Sequence, residues 1–374
     1  MNDTVAYAGV RVDGAPRTVA VREGRVAALR APDAAPAEDE VVRPLPGRRL
    51  VGGFVDIHAH GGGGFGYDDA GVDDLAAAVA VHRAHGTRAQ LLSLVSAAPE
   101  RLVARLAGLR AAVPALPGVF GVHLEGPFLA VSRRGAHDAD ALTAPTPALI
   151  DRLVEAGDGL LRQVTVAPEL PGALDAIERL VAHGVVVAVG HTDADHDTAA
   201  AAFDRGASLV THAYNAMPGL GHRAPGPLGA AIERDHVTIE LIADGLHVHP
   251  VVMRALFAAA PARVALVTDA MSATGLGDGC FRLGGLTVDV RDGRPVVAGT
   301  DTLAGSTLTM DRAIRVCVAA GIGLDEAVRA ATVTPARALG IAAPAVSVGD
   351  PVTDLVALDD AGRLTSPLSP EGAR

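Results

Sequence analysis

The chain reads as an α/β protein: a (β/α)8 TIM-like barrel with a small β-sandwich domain built from both chain termini. Three observations predict it. Eight short apolar runs alternate with segments of helical period through the middle of the chain. Histidines and acids stand where those runs end. The two ends of the chain share another style, short strands joined by Gly-containing turns.

The runs are Gly53–Ile57, Gln90–Val95, Val119–Leu124, Gln163–Val166, Val185–Val189, Ser208–Thr211, Val237–Ala243 and Val264–Thr268. Helical period fills Asp73–His85, Pro99–Val113, Pro171–His183, His196–Arg205 and Pro250–Ala260. A doubly wound open sheet is the alternative, but the first run lacks a GxGxxG turn that opens a helix. Gly61–Gly64 follows a strand without phosphate-loop spacing, and reads as room for backbone beside a site.

At the N-terminal end, Val10–Val12 leads to a turn at Asp13-Gly14. Thr18–Val21 follows, then a hairpin at Glu23–Val26. Ala31–Glu40 reads as a loose connector. Asp354–Leu358 and the turn Asp359–Gly362 repeat the style near the other end. The expected division is therefore 1–50 plus 342–374 for the small domain and 51–341 for the barrel.

Composition excludes several functions. With 32 basic and 43 acidic side chains the formal charge is −11, against the basic stripe a nucleic-acid surface needs. There is no lysine, so Schiff-base chemistry, a Walker lysine and a carbamylated lysine bridging metals are all excluded. Trp is absent and Tyr rare, which argues against base-stacking platforms. The two cysteines, Cys280 and Cys317, form no CxxC, and a reducing, cytoplasmic setting is expected. The first residues show no secretory signal, and no apolar run approaches the ~20 residues of a membrane span.

In a barrel of this kind the chemistry gathers where strands end. The first strand ends Asp56-Ile57-His58-Ala59-His60 and the third His123-Leu124-Glu125. The fifth ends Gly190-His191 and the sixth Thr211-His212. The seventh ends Asp244-Gly245-Leu246-His247 and the eighth Thr268-Asp269. The second and fourth offer only Ser93, Ser96 and Glu169. Strand side chains alternate, so His58 and His60 enter the barrel together. Imidazole–carboxylate sets suit zinc, iron or another transition metal. Such a set with an open position brings the pKa of a bound water toward neutrality, and Asp269 is the natural proton shuttle. The chemistry indicated is metal-assisted hydrolysis of an amide or ester.

This ordered set resembles the amidohydrolase superfamily. Within it, Leu124-Glu125-Gly126-Pro127-Phe128, Gly190-His191-Thr192-Asp193-Ala194, Thr211-His212-Ala213-Tyr214-Asn215-Ala216-Met217, Ala243-Asp244-Gly245-Leu246-His247 and Leu303-Ala304-Gly305-Ser306 resemble the N-acetylglucosamine-6-phosphate deacetylase family. The resemblance runs from about residue 50 to 340. It implies hydrolysis of the acetamide of that sugar phosphate, with Glu125, His191 and His212 holding the main divalent metal. It implies Asp269 as general base and then acid, and Ala136-His137 on the sugar with His137 near the acetyl carbonyl. Asn215-Ala216 and Arg223 would meet the phosphate, His247 the sugar or phosphate, and Leu303-Ala304-Gly305 the acetyl group. Arg223 would come from the neighbouring subunit, which implies a homodimer. Some members carry Gln and Asn where this chain has His58 and His60, and use one metal. The intact pair here favours two, with Glu125 bridging in place of the missing lysine.

The alternatives are a deacetylase of the galacto epimer, another amidohydrolase on the same fold, or an inactive scaffold. The scaffold reading would show a lost ligand, and every position is present. Arg133 and Arg134 read as loop charge, and His222, His236 and His249 as surface or structural. His82, His85 and His183 are expected to face solvent. Cys317 is expected to be buried in a Met310–Ala320 helix, and Cys280 to lie exposed in a loop that looks like a β-insertion, Phe281–Val297.

Overall fold

The structure is a computed structural model that describes residues 4–37, 40–365 and 368. Parts of three sequence expectations, the chain start, the Ala31–Glu40 connector and the far end of the 342–374 segment, lie outside the described residues.

Eight parallel strands form one sheet in sequential order: β1 (Phe54–Asp56), β2 (Thr87–Val95), β3 (Val119–Glu125), β4 (Leu161–Val166), β5 (Val186–Val189), β6 (Leu209–Val210), β7 (Thr238–Ile242) and β8 (Val264–Val267). Each is buried, as expected of strands covered by helices on one side and a packed interior on the other. The ring closes between β8 and β1 just past their ends. Asp269 N–H donates to His58 O at 2.8 Å, His60 N–H donates to Ala270 O at 2.7 Å, and Ala59 pairs in parallel with Ala270.

A helix follows every strand: α1 (Val72–Ala84), α2 (Pro99–Ala112), α3 (Pro147–Gly157), α4 (Ala173–Ala182), α5 (His196–Asp204), α6 (Gly226–Ile232), α7 (Pro250–Ala259) and α8 (Met310–Ala319). Their starts carry readable signals. Proline opens α2, α3 and α7, where its missing N–H costs nothing. Thr146 and Asp195 accept from Leu149 N–H and Thr198 N–H at the mouths of α3 and α5. Two further helices, α9 (Leu324–Ala331) and α10 (Val333–Ala338), pack beside β8 and β1.

Strands from both ends of the chain form a second, seven-stranded sheet. Thr4–Val12 pairs with Ala15–Arg22 on one edge. On the other edge it pairs with Glu40–Pro44 through residue 8, then with Arg49–Val51 from residue 11. Val356–Leu358 joins antiparallel to Arg49–Val51. The turns Asp13-Gly14 and Glu23-Gly24 have φ > 0 at both residues, which matches the twist of two-residue hairpins. Val5, Tyr7, Val19, Val26, Leu50, Val346 and Leu355 share a core separate from that of the barrel.

Between β8 and α8 the expected insertion is a three-stranded antiparallel sheet, Gly279–Leu283, Leu286–Arg291 and Arg294–Val297. It packs on Val95, Met271, Ala273 and Ala304, so it is fixed over one side of the barrel mouth. His82 corrects the sequence reading. It is buried on the inner face of α1, and its Nε2 lies 2.9 Å from Gly61 O. The Gly-rich run explains why. Gly61–Gly62 pairs with Phe65–Gly66, and a Cβ on Gly61 would sit 2.2 Å from Phe65 O. The loop therefore lies flat against α1 and needs a donor there. No helix among the described residues is long and apolar enough to cross a membrane.

Candidate metal centre and active site

At the C-terminal mouth of the barrel a cavity of about 300 Å³ opens over a cluster of imidazoles and acids. Glu125 is its centre. His212 Nε2 lies 3.0 Å and His191 Nε2 3.1 Å from Glu125 Oε1, with His58 Nε2 at 3.4 Å. Around Oε2 stand His60 Nε2 at 3.1 Å and His137 Nε2 at 3.2 Å. Asp269 Oδ1 faces the pair from β1, 3.3 Å from His60 Nε2 and 3.5 Å from His58 Nε2.

Local backbone aims these groups. His58 and His60 continue the register of Asp56, so all three face inward. Asp56 accepts the Thr268 hydroxyl at 2.6 Å and pins β1 to β8. His191, His212 and Asp269 have φ of 48°, 24° and 48°. For non-glycine residues this left-handed turn costs about 1–3 kcal/mol each and persists only where the surroundings impose it. It swings each side chain off the strand direction and over the mouth. Gly126, at φ 91°, lets the chain turn away directly after Glu125; a Cβ there would sit 2.2 Å from Ser96 Oγ.

The hydrogen-bond pattern tests whether these residues fit a metal. His191 Nδ1 lies 2.8 Å from Arg133 O, so that nitrogen carries the proton and Nε2 is left with its lone pair. His58 Nδ1 lies 3.0 Å from Glu240 Oε2, with the same result. Among the described residues, Nδ1 of His60 and of His212 has no hydrogen-bond partner. His58 and His60 Nε2 stand 3.2 Å apart, and His191 and His212 Nε2 3.0 Å apart, each pair against the one carboxylate. Two groups, His58–His60–Glu125 and Glu125–His191–His212, keep all their ligand atoms within 4.8 Å of one another. A ligand nitrogen whose ring partner donates to a carboxylate or carbonyl is the usual support of a metal site. The residues fit a divalent metal.

Electrostatics agrees. Burial alone would raise the Glu125 carboxyl, but the surrounding imidazoles, His58 foremost, hold it well below the usual range. Burial pulls His60 down; Asp269 and Glu125 outweigh it and raise it to about 9. The acids thus favour positive charge where the Nε2 atoms converge. His123 is the contrast. Burial, helped by His58, drives it well below its ordinary value. It is a neutral structural imidazole between Ser93 Oγ and Thr165 Oγ1 at 3.0 and 2.9 Å.

Twelve of the sequence-predicted residues line the cavity: His60, Glu125, Ala136, His137, His191, His212, Asn215, Ala216, His247, Asp269, Leu303 and Gly305. Three do not. His58 is fully buried in its floor, and Ala304 faces the insertion's core. Arg223 is exposed on a different cavity with Asp193, His196 and Glu233. Asn215 spends its amide hydrogens on His212 O and Ala213 O at 3.2 and 3.1 Å, which leaves its oxygen for a ligand. His247 is fixed by Asp244 Oδ2, 2.7 Å from Nδ1.

Sequence reading missed Ser132, Arg133, Gly135, Ile242, Leu283 and Thr302 on the cavity wall. Arg133 looked like loop charge. In the fold its side chain pairs with Asp193 while its carbonyl orients His191. It also missed Glu240, whose signal was a lone acid inside the apolar run Val237–Ala243.

Residues 49–368 match the amidohydrolase family. The N-acetyl-D-glucosamine-6-phosphate deacetylase of Mycobacterium smegmatis is 43% identical over 98% of each chain, with a TM-score of 0.89. An aspartate-to-alanine variant of that enzyme has been solved in complex with N-acetyl-D-glucosamine-6-phosphate. The N-acetylglucosamine-6-phosphate deacetylase of Vibrio furnissii is 35% identical over 85% of this chain and 80% of its own. An N-acetylgalactosamine-6-phosphate deacetylase of Escherichia coli O157:H7 is 38% identical over 78% of each.

Proposed function

The chain belongs to the amidohydrolase family, among its N-acetylglucosamine-6-phosphate deacetylases, and from that premise we propose that it hydrolyses N-acetylglucosamine-6-phosphate to glucosamine-6-phosphate and acetate. The observation that carries the reading is the convergence of four imidazoles on Glu125, with Asp269 facing His58 and His60, at the floor of one cavity.

Glu125, His191 and His212 would hold one divalent metal, and His58 and His60 a second that shares Glu125. A metal in such a site supplies an activated water and a polarised carbonyl. Asp269 takes the proton released as the C–O bond forms and delivers it to the amine nitrogen as the C–N bond breaks. His137 carries its hydrogen on Nε2, held by Glu125 Oε2 here, and would turn that donor to the acetyl carbonyl once the Glu125 carboxylate serves the metals. Leu303 and Gly305, with Ile242 and Leu283, exclude water around the methyl group. Asn215, Ala216 and His247 face the sugar and its phosphate.

The same reading makes the protein a homodimer whose Arg223 completes the partner's phosphate site. Its exposure outside its own cavity supports that geometry. It also divides the chain into 51–341 and 1–50 plus 342–374, and sets it in the cytoplasm. Two unpaired cysteines, one exposed and one buried, suit a reducing compartment.

Acetate release is to be measured from N-acetylglucosamine-6-phosphate, its galacto epimer and unphosphorylated N-acetylglucosamine. The gluco phosphate is expected to have the highest kcat/KM. A faster galacto epimer would reassign the substrate, and no acetate from either phosphate would overturn the reading.

A further inference from the structure

We propose that Glu240 is a positioning residue that turns His58 into a ligand and so creates the second metal position; the inference rests on the two-metal reading above. Glu240 lies mid-strand in β7, in register with Ile242, which lines the cavity above it. It is fully buried and does not reach the cavity, so it has no access to substrate.

A buried carboxylate is costly unless its oxygens meet donors or a cation. Lysine is absent from the chain, and among the described residues Glu240 has His58 as its only ion-pair partner. Gln163 Nε2–H donates to Oε1 at 2.8 Å. His212 N–H donates to Oε2 at 3.3 Å, and His58 Nδ1 faces that same oxygen at 3.0 Å. Both oxygens face donors, so Glu240 acts as an acceptor and His58 Nδ1 must carry hydrogen. That tautomer leaves the His58 Nε2 lone pair pointing between His60 Nε2, Glu125 Oε1 and Asp269 Oδ1, at 3.2, 3.4 and 3.5 Å.

Glu240 also touches both metal positions, through the ring of His58 and the backbone of His212.

The test counts metal. Parent, Glu240→Leu and Glu240→Gln proteins are stripped, reloaded with Co²⁺ and followed by visible absorbance and elemental analysis. The parent is expected to take two equivalents and Glu240→Leu one. Glu240→Gln should keep both, because its amide oxygen can still accept from His58, while a turn of the Gln163 amide brings its Oε1, unpartnered among the described residues, to the new N–H₂. The second equivalent should then bind roughly 10–100-fold more weakly, as for lost outer-shell charge. Two equivalents at parent affinity in Glu240→Leu would overturn the proposal. So would loss of both together, the sign of a merely structural role. If Glu240→Leu fails to fold, unchanged second-site affinity in Glu240→Gln overturns it. A parent holding one equivalent overturns the two-metal reading itself, and that result is visible before any variant is made.

Discussion

Nε2 of His137 lies 3.2 Å from Oε2 of Glu125 and reaches it as a donor, unlike His58 and His191, whose hydrogens sit on Nδ1. Its Nδ1 accepts the backbone N–H of Ser96 at 3.2 Å, so the ring hydrogen is on Nε2. Burial also keeps this ring below the ordinary imidazole value, against the pull of Glu125. His137 therefore offers a hydrogen bond where His58 and His191 offer lone pairs. His137→Asn is expected to keep the full metal content and lose about 10²–10³ in kcat, the scale of one removed donor to a developing oxyanion. His191→Asn is expected to lose metal. Elemental analysis beside steady-state kinetics separates the two, and metal loss in His137→Asn would reverse the assignment.

Arg223 sits on an exposed loop, apart from the cavity of its own chain. If it serves the neighbouring site, Arg223→Ala raises KM roughly tenfold to a hundredfold, the worth of a hydrogen bond to a charged group, with little change in kcat. Sedimentation of the parent must then show a dimer. A fully active monomer excludes the shared site.

The barrel was legible because parallel strands buried on both sides read as plain apolar runs, and all eight lie within a few residues of the expected spans. Glu125, His191, His212, His58 and His60 were legible because strand ends converge on one mouth. What escaped depends on packing between distant segments. His82 looked like a solvent-facing helical residue until the flat Gly61–Gly66 loop supplied its carbonyl partner. Arg133 carried no signal, since its use lies in a carbonyl that faces His191, 58 residues away. Leu283 and Thr302 reach the cavity only through the fold of the insertion. Ala304 shows the reverse. Alternation around Leu303 and Gly305 turns it into the insertion's core.

A pair outside the site sets a pH signature. His85 Nδ1 lies 3.0 Å from Asp311 Oδ1 and ties the end of α1 to the start of α8. The bond to Asp311 raises His85 above its ordinary value. Burial would raise Asp311, but His85, Thr309 and Arg315 together lower it. The imidazole's contribution is full below its unfolded pKa of ~6.5 and is lost as pH rises through the raised folded value. The carboxylate's is full above its unfolded ~3.9 and is lost as pH falls through the lowered one. Both hold between those limits. His85→Gln should therefore cost up to about 1 kcal/mol near pH 5.5, the upper end for a half-exposed pair. It should cost less at pH 9. Thermal melts of parent and variant at the two pH values measure it, and an equal cost at both would show that packing, not charge, holds the contact.

Asp269 carries the proton in the proposed reaction, and its backbone fixes where that carboxylate stands. Its N–H donates to His58 O at 2.8 Å, its carbonyl accepts from Ser306 N–H at 2.7 Å, and its φ of 48° turns the side chain over the imidazoles. Asn tolerates that left-handed backbone, so Asp269→Asn is expected to fold and to bind sugar phosphate. Its kcat should fall by ~10²–10⁴, the range for a lost general base. The nearby acids cannot stand in. Glu125 is surrounded by imidazoles, and Asp244 is engaged by His247 and by the Leu246 and His247 N–H groups. Glu169 accepts from Thr192 and from Asp193 N–H. The leaving group gives a sharper test. An amine must be protonated to depart, whereas a thiolate need not be. An S-acetyl analogue of the substrate should therefore lose less rate in Asp269→Asn than the amide does. Equal losses would show that Asp269 acts only before the C–N bond breaks. Activity within a few-fold of the parent, with Asp244→Asn inactive, would move the proton transfer to Asp244.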